Sequence, residues 1–264
     1  MKKILLTLIC TVYFCCTAFA QQTDTITTAS GLKYFFKTKG SGPAFIPGQL
    51  AIVDYILTLS DGTKIDATQD RKTAFAAQVP SNNMIKGYNE AILLMHVGDR
   101  ALFMLPYNIA YGTKGRAPIP PNADLVFDIT LLDVKAKSLG MILDSVLFAK
   151  PVTADSKPQM DTVLKTFNTL KKGGFKDLYV SEDDLNTIGY ELIKKYPADA
   201  VDLFKLNVKM YPKSYNAYDS LAEGYMDMGD NKQAIKNYKK SLKLNPKNTN
   251  ATDMIKKMKA GGKE

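Results

Sequence analysis

Residues 124–132 read DLVFDITLL, an alternation that sets Leu125, Phe127, Ile129 and Leu131 on one face at period two. Successive side chains of a strand point to opposite sides, so this is the pattern of a strand with one face in a core. Two stretches upstream read the same way. LAIVDYILTL (50–59) aligns Val53, Tyr55, Leu57 and Leu59 and runs into an Asp61-Gly62 turn, and RALFML (100–105) is the second. Between them, Tyr88, Ile92 and Met95 recur at helical spacing just after Gly87. Gly112, Gly115 and Pro120-Pro121 mark a long loop before the last strand. The front half is therefore predicted to be α+β: an antiparallel sheet wrapped on one short helix.

Working outward, the C-terminal half loses the period of two. Leu139, Ile142, Leu143, Val146 and Leu147 fit one amphipathic helix; Val163, Leu164, Phe167 and Leu170 fit another, ended by Gly173-Gly174. Residues 150–158 have the composition of a linker. Ser181 with Asp184 forms a capping-box signature ahead of the stripe Leu185, Ile188, Leu192 and Ile193. A 34-residue period follows. In residues 215–248, Tyr218, Leu221, Ala222, Tyr225, Gly229, Ala234, Tyr238 and Pro246 occupy the signature positions of a tetratricopeptide (TPR) repeat. One period earlier, Ala200, Phe204 and Pro212 fit but Asp184 and Thr187 do not, so 181–214 is a degenerate copy. Residues 249–259 are expected to form the closing helix that a solenoid needs. A plain helical bundle is the alternative.

The first twenty residues have a different logic. Lys2 and Lys3, a mostly apolar run over 4–14, and Ala18-Phe19-Ala20 are the parts of a secretory signal with its cleavage site. Export to the periplasm, or secretion, is expected. The run is shorter than the about 20 apolar residues of a membrane span, and no later stretch qualifies, so no membrane span is expected. Cys10, Cys15 and Cys16 all lie in the part to be removed, leaving no thiol for disulfide, redox or ligand chemistry. The net charge of +9 is concentrated after residue 136, where lysines are spaced like solvated helix faces. With export expected, nucleic acid is not an expected partner. No phosphate-binding glycine motif is present, His96 stands alone, and no acidic residues cluster at metal-ligand spacing. Neither a metal nor a cofactor is expected.

What remains is aromatic and apolar residues gathered at strand ends and in the long loop. YGTKGRAPIPP (111–121) followed by ADLVFDITLLDV (123–134), with DYILTLSDGTKIDAT (54–68) and MIKGYNEAILLMHVGDR (84–100) upstream, resembles the FKBP-type peptidyl-prolyl cis-trans isomerases. SGLKYFFKTKGSG (30–42) is similar to the entry segment of exported bacterial members. The resemblance covers residues 30–135. It implies an apolar bowl for the substrate proline, with Tyr55, Phe75 and Phe127 as aromatic walls and Tyr88 as floor. It implies that Tyr111 bonds a substrate carbonyl, that Asp66 is the acid at the rim, and that Arg71 orients Asp66 and the tyrosine. Met84 and Ile85 match the apolar pair whose backbone binds substrate, and Ile119 matches the loop tip. Ile65 stands where phenylalanine is common, and Tyr88 where many members have tryptophan; both reshape the aromatic cage.

The resemblance thus implies a prolyl isomerase acting on proline-containing polypeptides during folding of exported proteins, needing no nucleophile, metal or cofactor. The alternative is an inactive FKBP-like chaperone or scaffold whose TPR half binds partner proteins. The expected organisation is a signal peptide (1–20), an isomerase domain (21–136), a helical linker region (137–180) and TPR-like repeats with a closing helix (181–264). The inner face of the better repeat carries Asn216, Asp219, Glu223 and Asp227, an acidic groove expected to favour a basic or apolar peptide over an acidic tail.

Overall fold

The computed structural model describes residues 24–148, 153 and 155–261. The expected signal segment, with its cleavage site and all three cysteines, lies outside them, as does part of the 150–158 stretch.

Residues 26–135 form one antiparallel sheet. Its strands are β1 (Ile26–Thr27), β2 (Lys33–Thr38), β3 (Leu50–Leu59), β4 (Lys64–Ala67), β5 (Phe75–Gln78), β6 (Arg100–Leu105) and β7 (Leu125–Lys135). The spatial order is β1-β2-β6-β7-β3-β4, and β5 also pairs with β3. The predicted alternation is visible in burial: Leu125, Phe127, Ile129 and Leu131 are buried, while their neighbours are less so. A helix α1 (Thr68–Arg71) separates β4 from β5, and α2 (Lys86–Leu93) packs across the sheet. The helical spacing read through Met95 overshoots α2 by two residues. The chain leaves the helix after Leu93, yet Met95 stays in the core at 1% exposure. Gly87 makes the close approach possible: a Cβ there would come within 2.6 Å of the Leu105 side chain on β6. Tyr88, Ala91, Ile92 and Met95 then join Val53, Phe103, Leu105, Phe127 and Ile129 in one core.

After β7 the chain is helical apart from a two-strand parallel contact of β8 (Lys137–Ser138) with β9 (Leu178–Tyr179). The helices are α3 (Leu139–Leu147), α4 (Met160–Lys172), α5 (Glu182–Leu192), α6 (Pro197–Met210), α7 (Tyr215–Asp227), α8 (Asn231–Leu244) and α9 (Thr249–Gly261). Their starts are capped as the residue types require. Ser138 accepts from the Met141 N–H, Ser214 from Ala217, Asp230 from Gln233, and Ser181 with Asp184 closes a full capping box. Leu139, Leu143, Leu147, Val163 and Phe167 share one core with Leu185, Ile188, Leu192 and Phe204. Phe204 is fully buried because its ring lies on bare backbone: a Cβ on Gly189 would meet it at 2.4 Å. A smaller core holds Ala222, Ala234, Tyr238 and Ala251.

The polar face of α7 departs from the sequence reading. Its acidic side chains do not stand free, because each has a partner on α5, in the turn after it, or at the start of α9. Asn216 donates to Glu182 (3.0 Å), and Asp227 accepts from Lys194 (2.8 Å). Asp219 accepts from Asn248 and Asn250 (both 2.7 Å). Glu223 accepts from Tyr190 (2.8 Å) and Asn250 (3.1 Å). The partners lie about 30 residues away in sequence, beyond the reach of a reading confined to one helix. Among the described residues, no helix is long and apolar enough to cross a membrane.

Candidate active site

β3 is the strand that assembles the site, because it is paired on both edges. On one side, Leu57 faces Phe127 and Tyr55 faces Ile129 across β7. On the other, Leu57 faces Asp66 on β4 and Val53 faces Phe75 on β5. Period-two geometry then turns Tyr55, Leu57, Phe75 and Phe127 to one side. α2 brings Tyr88 beneath them. Tyr55 lies 5.8 Å from Phe75 and 5.8 Å from Phe127, and Tyr88 lies 6.1 and 6.0 Å from the same two rings. These are tilted or edge-to-face contacts, which fix ring positions as well as burying area.

The rings enclose one side of a cavity of about 450 Å³. Tyr55, Ile65, Asp66, Phe75, Met84, Ile85, Tyr88, Tyr111, Ile119 and Phe127 all line it. The structure thus brings together ten of the eleven residues singled out from sequence. Arg71 does not line the cavity. It sits behind the wall, donating to Asp66 and to the Tyr55 hydroxyl (3.2 Å), with its guanidinium 5.8 Å from the Tyr55 ring. Leu57, Asn83, Arg116, Ala117 and Pro118 complete the lining. Sequence reasoning passed over the loop residues Asn83, Ala117 and Pro118, which carry no periodic signal. The 116–119 turn that presents them is closed by paired backbone bonds between Arg116 and Ile119. Further back, the long loop is tied by the Tyr107 N–H to Asp124 (2.8 Å) and the Asn122 N–H to the Gly112 carbonyl (3.0 Å).

The electrostatics separate a dry floor from a polar rim. Burial pushes the Tyr88 hydroxyl far above its ordinary range, and this buried oxygen has no hydrogen-bond partner among the described residues. At the rim, Tyr55 donates to Asp66, and Arg71 grips the same carboxylate. Burial works against ionisation of Asp66. The hydrogen bonds from Tyr55 and Arg71 and the guanidinium charge outweigh it, holding the carboxyl below its usual value. Burial, then the bond to Asp66, raises Tyr55. The Tyr55 hydroxyl is therefore spent inside the protein. Two other donors are not. Neither the Tyr111 hydroxyl nor the Ile85 N–H, at the residue preceding α2, has a partner among the described residues. The residues present offer an apolar bowl with two unpartnered donors at its edge. Among the described residues, no group of His, Cys, Asp and Glu is arranged to hold a metal.

Comparison with known proteins follows the same geometry. Residues 43–132 match the family model described as FKBP-type peptidyl-prolyl cis-trans isomerase. Over 89 residues the chain is 39% identical to FK506-binding protein 1A of Emericella nidulans, covering 82% of that protein and 33% of this chain. The chain belongs to the FKBP-type peptidyl-prolyl cis-trans isomerase family. It is also 40% identical over 118 residues to the FKBP-type peptidyl-prolyl cis-trans isomerase FkpA of Aeromonas hydrophila, spanning 45% of this chain and 43% of that one. The crystal structure of FkpA from Escherichia coli aligns at 33% identity and a TM-score of 0.41, covering 44% of this chain and 54% of that chain. The chain thus spans about half the length of the FkpA relatives. Every residue of the bowl lies within the segment that matches the FKBP-type family.

Proposed function

We propose that this chain accelerates cis-trans isomerisation of X-Pro bonds in exported polypeptides, using the aromatic bowl as its catalytic site. The observation that carries the reading is the convergence of Tyr55, Phe75, Tyr88 and Phe127 on one cavity edged by two donors with no partner among the described residues. The X-Pro barrier of about 18–20 kcal/mol arises from amide resonance. Twisting the C–N bond localises the nitrogen lone pair and makes the amide less polar. Water favours the planar, polar form, whereas an apolar bowl withdraws that water and favours the twisted one. Proline's ring seats on Tyr88 between Phe75 and Phe127. The Tyr111 hydroxyl and the Ile85 N–H hold substrate carbonyls on either side. Asp66 and Arg71 keep the Tyr55 ring in place. Met84, Ile65 and Ile119 close the apolar wall. The path needs no covalent intermediate and no proton transfer.

The same proposal extends to the remaining chain. Residues 1–20 direct export, most simply to the periplasm, and are removed. Residues 21–136 are the isomerase unit, 137–180 join it to the C-terminal part, and 181–264 are TPR-like repeats with α9 as closing helix. Support for the repeats comes from the helix starts: α5 and α7, and α6 and α8, recur at close to the about 34 residues of a TPR. This half holds clients or a partner protein.

The test is NMR exchange spectroscopy on a panel of X-Pro peptides with the wild-type chain, Tyr111→Phe and Phe127→Ala. Accelerated exchange that falls roughly tenfold in Tyr111→Phe and further in Phe127→Ala is expected. A folded wild-type chain that leaves every peptide unaccelerated would favour the scaffold reading, to which Ile65, an aliphatic residue in the wall, already lends a reason.

A further inference from the structure

One surface is left unused by the isomerase site and by the polar contacts between α5, α7 and α9. α8 carries Lys232, Lys236, Lys239, Lys240 and Lys243 and no acidic residue over its whole length. At 100° per residue these five fall within about 100° of arc, and they run for about 16 Å along the axis. The opposite face, Ala234, Tyr238 and Ser241, is buried. All five lysines are exposed, and among the described residues none has an acidic partner; Lys240 lies 5.5 Å from the Tyr218 ring. They line one shallow concavity with Ile235, Asn237 and Tyr218, and no carboxylate enters it. Some lysines elsewhere are paired. Lys194 is paired to Asp227, and Lys205 to Asp202. Five like charges in one row repel one another, and an external negative charge meeting the row relieves that repulsion.

We infer that this face of α8 docks on an anionic lipid surface. Three features select that occupant. All lining residues except Tyr218 come from a single helix, so the face has no second wall to clasp a peptide. Every cation is lysine; arginine, whose planar fork suits the paired oxygens of individual phosphates and base edges, is absent. Lysine instead offers a mobile point charge on a flexible stem, suited to a diffuse layer of headgroups. Ile235 and Tyr218 beside the row supply an apolar body with a hydroxyl tip, the chemistry that settles at a lipid interface. The inference is independent of the isomerase reading, since α8 is no part of the bowl.

The test is co-sedimentation of the full chain with vesicles of phosphatidylcholine alone or mixed with phosphatidylglycerol. The comparison is with a variant carrying Lys232→Gln, Lys236→Gln, Lys239→Gln, Lys240→Gln and Lys243→Gln, and with one carrying arginine at the same five positions. All three proteins share one N-terminus, so differences report the row alone. The wild type is expected to bind the anionic vesicles and not the neutral ones. Roughly 1 M salt, where the screening length is about 3 Å, should release it. The glutamine variant should bind at least about tenfold more weakly, while the arginine variant binds and isomerase activity stays unchanged in both. Equal binding by a folded glutamine variant overturns the inference, as does wild-type binding that ignores salt. Binding to polyglutamate or duplex DNA without binding to anionic vesicles overturns it too. Should the glutamine variant fail to fold, the salt series and the arginine variant still decide.

Discussion

The bowl of the sheet half and the α7 face of the helical half handle polar groups in opposite ways. In the sheet half, the bowl gathers aromatic rings around a cavity and leaves two donors, the Tyr111 hydroxyl and the Ile85 N–H, with no partner among the described residues. In the helical half, the polar face of α7 looks richer in chemistry, yet Asp219, Glu223 and Asp227 are each bonded from another part of the fold, by Asn248 before α9, Tyr190 on α5 and Lys194 after it. Charged residues whose partners lie inside the fold are thus a poor guide to a site. Unfinished hydrogen bonding beside an enclosed apolar surface is a better one, because only those groups gain when a ligand arrives.

The largest effect that tests this contrast comes from Phe127→Ala. Phe127 is 7% exposed, and its loss should cost about 3–5 kcal/mol. Residue-resolved hydrogen exchange should show faster exchange across β3, β6 and β7 and none in α5–α8. A uniform rise over the whole chain would mean the sheet and helical cores unfold as one unit. Next in size, Asp219→Ala strips the acceptor from Asn248 and Asn250 and should cost about 1–3 kcal/mol. Exchange should quicken in α9, while the rate of X-Pro isomerisation stays unchanged. A fall in that rate would show that the halves communicate.

A smaller effect is expected from Arg71→Ala. Arg71 stands behind the wall and acts only through Asp66 and Tyr55, so kcat/KM should fall by a few-fold, about 1 kcal/mol or less, with peptide preference retained. The smallest is a pH effect. The folded pKa of Asp66 lies below its ordinary value, so the stabilisation from its ionised form is complete above about pH 4. It is lost as pH falls through the lowered folded value. Thermal melts of the wild type should therefore lose stability below about pH 4, and Asp66→Asn should flatten part of that acid limb.

Periodicity made the long strands legible, whereas the bowl residues Phe75, Met84, Ile85, Tyr111 and Ile119 were legible only through the resemblance to the FKBP-type isomerases. Leu125, Phe127, Ile129 and Leu131 alternate because one side of β7 is buried, and Tyr55 with Leu57 follows the same rule in β3. The short strands β4 (KIDA) and β5 (FAAQ) carry no such pattern; pairing with β3 imposes their conformation. Asn83, Ala117 and Pro118 reach the cavity through loops, where neighbours in space are not spaced regularly in sequence. The acidic face of α7 shows in the sequence, but the partners of its acids, Lys194, Asn248 and Asn250, lie about 30 residues away. The strand readings succeeded on local repeats, and the missed partners of the α7 acids are non-local contacts.

The double pairing of β3 makes that strand a ruler. Leu57 is in register with Phe127 on one edge and with Asp66 on the other, and Val53 is in register with Leu131 and Phe75. Deleting a single residue between positions 53 and 57 would turn the Tyr55 ring to the far side of the sheet and offset both neighbours at once. Loops around the cavity can drift in length and composition while the strand's count stays fixed. Tolerance to insertion should therefore drop to nearly nothing across five positions and recover on either side of them, a boundary set by arithmetic rather than by distance from the substrate.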